Sequence, residues 1–173
     1  MSSKIATVIG KKYLSGKTKK LEPADPYYET YTDAKGRTKK RPRPVPEILN
    51  KKDAKLLKKI RKRARNLDNG FSICGFRFGY TFIIGLIPVA GDVAQFALSY
   101  LLIVRKAKDA DLPSSLISHM VMNQLVGLGI GMVPVLGDIG LAAWKPNTRN
   151  AHLLEEFLTK RAIRCGQKQM FKT

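Results

Sequence analysis

Gly85-Leu86-Ile87-Pro88-Val89-Ala90-Gly91-Asp92-Val93 returns further along the chain as Gly131-Met132-Val133-Pro134-Val135-Leu136-Gly137-Asp138-Ile139. Proline has no amide proton and disfavours helical geometry in the residue before it, so each copy predicts a helix that ends or kinks near Ile87 and Val133. Gly91 and Gly137 accept positive φ without steric cost. Asp92 and Asp138 then stand where they can accept the free amide protons of a new helix. Pro88, Gly91, Asp92, Pro134, Gly137 and Asp138 are therefore read as one structural motif used twice: helix, tight break, capped helix.

The charge around this motif is lopsided. The chain of 173 residues carries a formal net charge of +19, with 32 Lys and Arg against 13 Asp and Glu. Of those cations, 21 lie at or before Arg65. Residues 78 to 104 hold only Asp92 as a charged side chain, and residues 112 to 144 hold only Asp138. A mean hydropathy of −0.18 thus conceals a basic, polar third joined to an apolar half. Such asymmetry points to an anionic partner, namely a lipid surface, RNA or an acidic protein. Cys74 and Cys165 have no metal spacing, so zinc is not supported. No secretory signal is visible in Met1 to Gly10. The acid-free basic start leaves a mitochondrial address open beside a short surface-seeking helix.

Four segments follow from the pattern: a basic, largely extended arm over 1–49, a basic amphipathic helix over 50–68, a duplicated apolar core over 69–146, and a C-terminal amphipathic helix and tail over 147–173. Arg41-Pro42-Arg43-Pro44-Val45-Pro46 reads as extended, polyproline-like chain. Asn50 opens the first helix, in which Leu56, Leu57, Ile60, Ala64 and Leu67 share one face. Lys51, Lys52, Lys55, Lys58, Lys59, Arg61, Lys62, Arg63 and Arg65 cover the rest and are the candidate anionic-surface residues. No aromatic side chains alternate with them, which disfavours a single-stranded RNA platform. Asp68-Asn69-Gly70 signals the turn that ends the helix. Ala151, Leu153, Leu154, Phe157, Leu158 and Ala162 mark the last helix.

Each apolar run is about as long as the ~20 residues a spanning helix needs, yet each is interrupted by Pro and Gly. Two kinked spans, two re-entrant hairpins and a soluble bundle of shorter helices compete. Basic residues flank both outer sides and the central loop (Arg105, Lys106, Lys108), which favours arrangements that keep all three on the cytosolic side. The expectation is all-α, with two membrane-embedded helix-break-helix repeats and cytosolic termini.

Catalytic constellations are missing. Gly127-Leu128-Gly129-Ile130-Gly131 follows no strand and has no lysine, so it reads as small residues for close helix approach rather than a phosphate loop. His119, Asn123 and Gln124 form one polar turn, read as a satisfied buried cluster. No catalytic residue, cofactor or small-molecule substrate is expected.

Phe76-Arg77-Phe78-Gly79, the doubled Gly-to-Asp phrase, Leu112-Pro113-Ser114, Asn123 and Asn147-Thr148-Arg149-Asn150 together resemble the family known as domain of unknown function 4112. Ile9-Gly10-Lys11-Lys12 and Asp25-Pro26-Tyr27-Tyr28-Glu29 are similar to the N-terminal region of its fungal members. The resemblance implies a small, membrane-associated helical protein without established activity. It also implies acidic residues near positions where this chain has Gln95, Gly127 and Ala142, so any ion capacity those acids confer is missing here. Pro146 departs from the helix-friendly residue expected at its place.

The functional expectation is a non-enzymatic membrane protein with an anchoring or accessory role, its basic face meeting anionic lipid or a partner complex. The alternative is a basic accessory subunit of a ribonucleoprotein or other acidic assembly, built on a soluble helical core.

Overall fold

The structure is a computed structural model that describes residues 22–69, 71–73, 76–78, 90–131 and 136–170. An N-terminal hairpin pairs β1 (Tyr28–Thr32) with β2 (Thr38–Pro42) in antiparallel register, Tyr28 opposite Pro42 and Thr32 opposite Thr38. Its turn is built by Asp33, whose Oδ1 accepts the amides of Lys35 and Arg37 at 2.9 Å each. Gly36 supplies the φ of +72° that this reversal requires.

Helix α1 (Lys51–Asn69) begins behind Asn50, whose Oδ1 accepts the Asp53 amide at 2.8 Å in the geometry of an N-cap. A second short hairpin follows, β3 (Phe71–Ile73) against β4 (Phe76–Phe78). Then come α2 (Ala90–Ser99), a π-helical turn (Tyr100–Val104), α3 (Arg105–Ala107) and a 3-10 turn (Lys108–Ala110). Asp111, left-handed at φ 54°, stops that series. Helices α4 (Ser114–Gly131), α5 (Leu136–Trp144) and α6 (Pro146–Met170) complete the chain.

The buried face of α1 is the stripe expected from its spacing: Leu57, Ile60 and Ala64 are fully buried and Leu67 nearly so. It meets Ala151, Leu154 and Leu158 of α6, with Ile103, Val104, Ala107 and Met120 from the apolar runs in the same cluster. Burying side chains of this size stabilises by roughly 1.5–3 kcal/mol each before ordering entropy is counted.

The all-α, membrane-embedded expectation is corrected on two counts. Two two-stranded sheets are present. Among the described residues no helix is long and apolar enough to cross a membrane, so the kinked spans do not stand and the embedded hairpins are not shown. The physical reason lies in where the apolar residues go. Ile103, Val104 and Met120 are spent on a protein core with the two amphipathic helices, and the second run is divided between α4 and α5.

Local readings are also revised. Residues Arg41 and Pro42 belong to a strand rather than to polyproline-like chain. Pro146 opens a helix rather than breaking one, as proline without its amide proton suits a first turn. Lys145 at φ 47° makes the reversal just before it.

Candidate functional site

Only the later part of each copy of the repeated motif lies among the described residues, apart from Gly131. Both helices begin at the same offset in the phrase, α2 at Ala90 and α5 at Leu136. Gly91 and Gly137 are therefore helical, and Asp92 and Asp138 stand in the first turn rather than ahead of it. A first-turn carboxylate is favoured by the helix dipole. Pro88 and Pro134 lie outside the described residues, as do the N-terminal segment and Cys74. Cys165 is exposed and free.

The cap that matters comes from elsewhere in the chain. Asp68, near the end of α1, reaches the start of α6 and accepts three hydrogen bonds from two residues. Its Oδ1 takes the Asn147 side-chain amide at 2.8 Å and the Asn147 backbone amide at 3.3 Å. Its Oδ2 takes the Thr148 backbone amide at 2.6 Å. Enclosure pushes the Asp68 pKa above the usual carboxylate value, against the pull of its bonds to Thr148 and Asn147. Asn147 Oδ1 in turn accepts Gln124 Nε2 at 2.8 Å, so α1, α6 and α4 are joined through one polar chain.

Around it, Asn123 Nδ2 donates to Asn150 Oδ1 at 2.9 Å, and Asn150 Nδ2 donates to the Met120 carbonyl at 2.9 Å. Trp144 Nε1 donates to the Asn123 carbonyl at 3.2 Å, and the Arg149 guanidinium lies 4.1 Å from the Trp144 ring centroid. Asn123 and the Asn147-to-Asn150 run thus knit three helices together. Asn123 and Gln124 belong to the satisfied polar cluster, whereas His119 is exposed and stands outside it.

Beside this network is a cavity of about 20 Å³, room for one water, lined by Gln95, Ser99, Gln124, Gly127, Leu141 and Pro146 among others. Gln95 and Gly127, two of the positions where the resemblance implies acids, share its wall; Ala142 is exposed. Gly127 lets Pro146 approach: a Cβ there would meet Pro146 Cγ at 3.0 Å. Gly129 faces open space, so close approach explains only part of that glycine series. Among the described residues no group of three His, Cys, Asp or Glu side chains could hold a metal ion.

The basic candidates divide in two. Lys51, Lys52, Lys55, Lys58, Lys59 and Lys62 are exposed. Arg61 is 1% exposed and is withdrawn from that surface. Its guanidinium pairs with Glu155 Oε1 at 2.6 Å and donates to the carbonyls of Arg43 and Pro44 at 3.3 and 3.1 Å. Arg63 donates to the Leu102 carbonyl within the π-helical turn at 3.1 Å. Arg65 pairs with Asp25 Oδ2 at 3.0 Å and lies 4.7 Å from the Tyr28 ring centroid. Helical spacing identifies the polar face but does not distinguish cations in water from cations spent on partners far along the chain.

A second surface escaped the sequence reading. Val93 and Leu101 are 54% and 45% exposed, and on α4 Met122 and Leu125 are 54% and 43% exposed. Their helical spacing was visible, but burial of one side of an almost uniformly apolar helix hides which side stays open.

A Saccharomyces cerevisiae protein described as an uncharacterized membrane protein is 30% identical over 151 residues, covering 84% of this chain. The chain spans 60% of that relative's length. No solved structure matches. The family model described as domain of unknown function (DUF4112) matches residues 56–158, which hold the Asp68 cap, the asparagine network and both helix starts, and the chain belongs to that family.

Proposed function

We propose that this is a non-enzymatic, membrane-associated protein with an anchoring or accessory role, whose lysine face meets anionic lipid on the cytosolic side. The observation that carries the reading is the division of α1. Six lysines are exposed on a helix whose opposite stripe is sealed in the core, so the charges are presented by a fixed scaffold. Lysine near an anionic leaflet contributes about 1 kcal/mol, which makes six such side chains a substantial attraction. The membrane description of the yeast relative supports the same partner. The exposed Val93, Leu101, Met122 and Leu125 favour a bilayer over RNA, since apolar side chains gain from lipid and offer little to a phosphate backbone.

Vesicle co-sedimentation tests this. Retention is expected on phosphatidylcholine vesicles containing phosphatidylserine, weakening as salt rises, with little on phosphatidylcholine alone. Equal retention on both would refute the lysine face as the recognition element. RNA binding that survives at salt concentrations abolishing vesicle binding would replace lipid with nucleic acid as the partner.

A further inference from the structure

We infer that the β1–β2 hairpin is a second cationic lobe of the same lipid-facing surface, locked to α1 so that helix and hairpin meet an anionic bilayer as one rigid face. The inference rests on the lipid reading above and adds to it a region that precedes the family match at residue 56.

The roots of both strands are fastened to the helical core. Arg61, buried in α1, holds the chain leaving β2 through the carbonyls of Arg43 and Pro44, and its charge is met by Glu155 of α6. Arg65, one turn on, holds the chain entering β1 through Asp25 and the Tyr28 ring. Asp25 Oδ1 also accepts the amides of Tyr27 and Tyr28 at 2.8 and 2.9 Å. The Arg43 amide closes the base on the Tyr27 carbonyl at 2.8 Å. His152 of α6 adds a contact to the Ala24 carbonyl at 3.0 Å. A loose tether would not require a buried arginine; a positioned finger does.

The charges on that finger are sorted by strand alternation. Arg41 on one face pairs with Glu29 across the strands, and Lys39 pairs with Asp33. Lys40 belongs to the opposite face, across from Thr30 and on the same side as Tyr28, which rests on Arg65 of α1. Lys40 and Lys35 are exposed, and among the described residues neither makes an ion pair with a carboxylate. On α1, Lys58 and Lys62 sit one turn before Arg61 and Arg65, the two residues that hold the hairpin root. Strand β2 is exposed along its whole length, leaving its cations in reach of a surface.

Vesicles of phosphatidylcholine with phosphatidylserine, titrated with the full chain, provide the test. Lys35→Ser with Lys40→Ser is expected to weaken binding by about fivefold per lysine removed. Asp25→Ala separates geometry from charge. It raises net positive charge by one while untying the β1 root, so the locked face predicts weaker binding and simple charge attraction predicts stronger. Lys51→Ser with Lys52→Ser, at the far end of α1, tests the parent reading. Loss of binding there with none in the Lys35/Lys40 variant refutes the hairpin lobe alone, and no loss at Lys51/Lys52 refutes the lipid reading itself. Stronger binding by Asp25→Ala overturns the rigid face. Far-UV circular dichroism confirms folding, and if Asp25→Ala unfolds, the Lys35/Lys40 result decides.

Discussion

Asp68→Ala removes the carboxylate that links the end of α1 to the start of α6. The Asn147 and Thr148 backbone amides lose their acceptor, a cap loss of about 0.5–2 kcal/mol. The Asn147 side-chain amide, on a residue with no solvent exposure, also loses the acceptor it holds at 2.8 Å, and an unsatisfied buried donor costs about 1–3 kcal/mol. The two together predict a loss of about 1.5–5 kcal/mol. Enclosure of the charge works against this figure and gives it a pH dependence. Because the folded-state pKa of Asp68 is raised above 3.8, the folded protein binds this proton more tightly than the unfolded chain does. Stability from this group is therefore fully present below pH 3.8 and is lost as pH rises through the folded value. The difference between the native protein and Asp68→Ala should be widest in acid and narrow with rising pH. Urea titrations followed by far-UV ellipticity and by Trp144, the single tryptophan, measure it, and coincident transitions confirm two-state behaviour. A difference below about 0.5 kcal/mol would refute the interhelical cap. A difference that grows with pH would refute the enclosure argument, because the ionised form would then be the better partner for the helix start.

Leu57→Ala, at a fully buried position of α1, should lose about 2–5 kcal/mol in urea unfolding, while the exposed Lys58→Ala stays within about 0.5 kcal/mol. Gly140→Ala places a Cβ 2.5 Å from Ile130 Cγ2 and should cost about 1–3 kcal/mol; combining it with Ile130→Ala in a double-mutant cycle should recover part of that loss. Strict additivity would show that the two side chains do not compete for space. At Asp25, burial pushes the pKa up, but bonds from the Tyr28 and Tyr27 amides and from Arg65 outweigh it and hold the value below 3.8. Its contribution is present above pH 3.8 and lost as pH falls through the folded value, so Asp25→Asn should flatten the acid limb of a plot of melting temperature against pH.

Much of the helical architecture was legible. The stripe from Leu57 to Leu67 and the opening at Asn50 follow from local spacing and from residues that act on their own neighbours. The β1–β2 hairpin was not, because Thr38–Pro42 is polar on both faces and its strand character comes from pairing with β1 rather than from apolar alternation. At the candidate surface, the lysines of α1 are exposed, but the same spacing groups the buried Arg61 with them. Nothing near position 61 announces that Glu155 and two backbone carbonyls will claim its guanidinium.

Residue order alone established a charge-divided chain, a one-sided first helix and a duplicated apolar phrase, because period and composition are properties of neighbours. Only the folded arrangement decided that Ile103, Val104 and Met120 enter a protein core, that Asp68 accepts the first amides of α6, and that two of the arginines tie down the hairpin. Those outcomes depend on partners dozens of positions away. A side chain's burial and bonding are set by whatever tertiary contact reaches it, which local spacing does not encode.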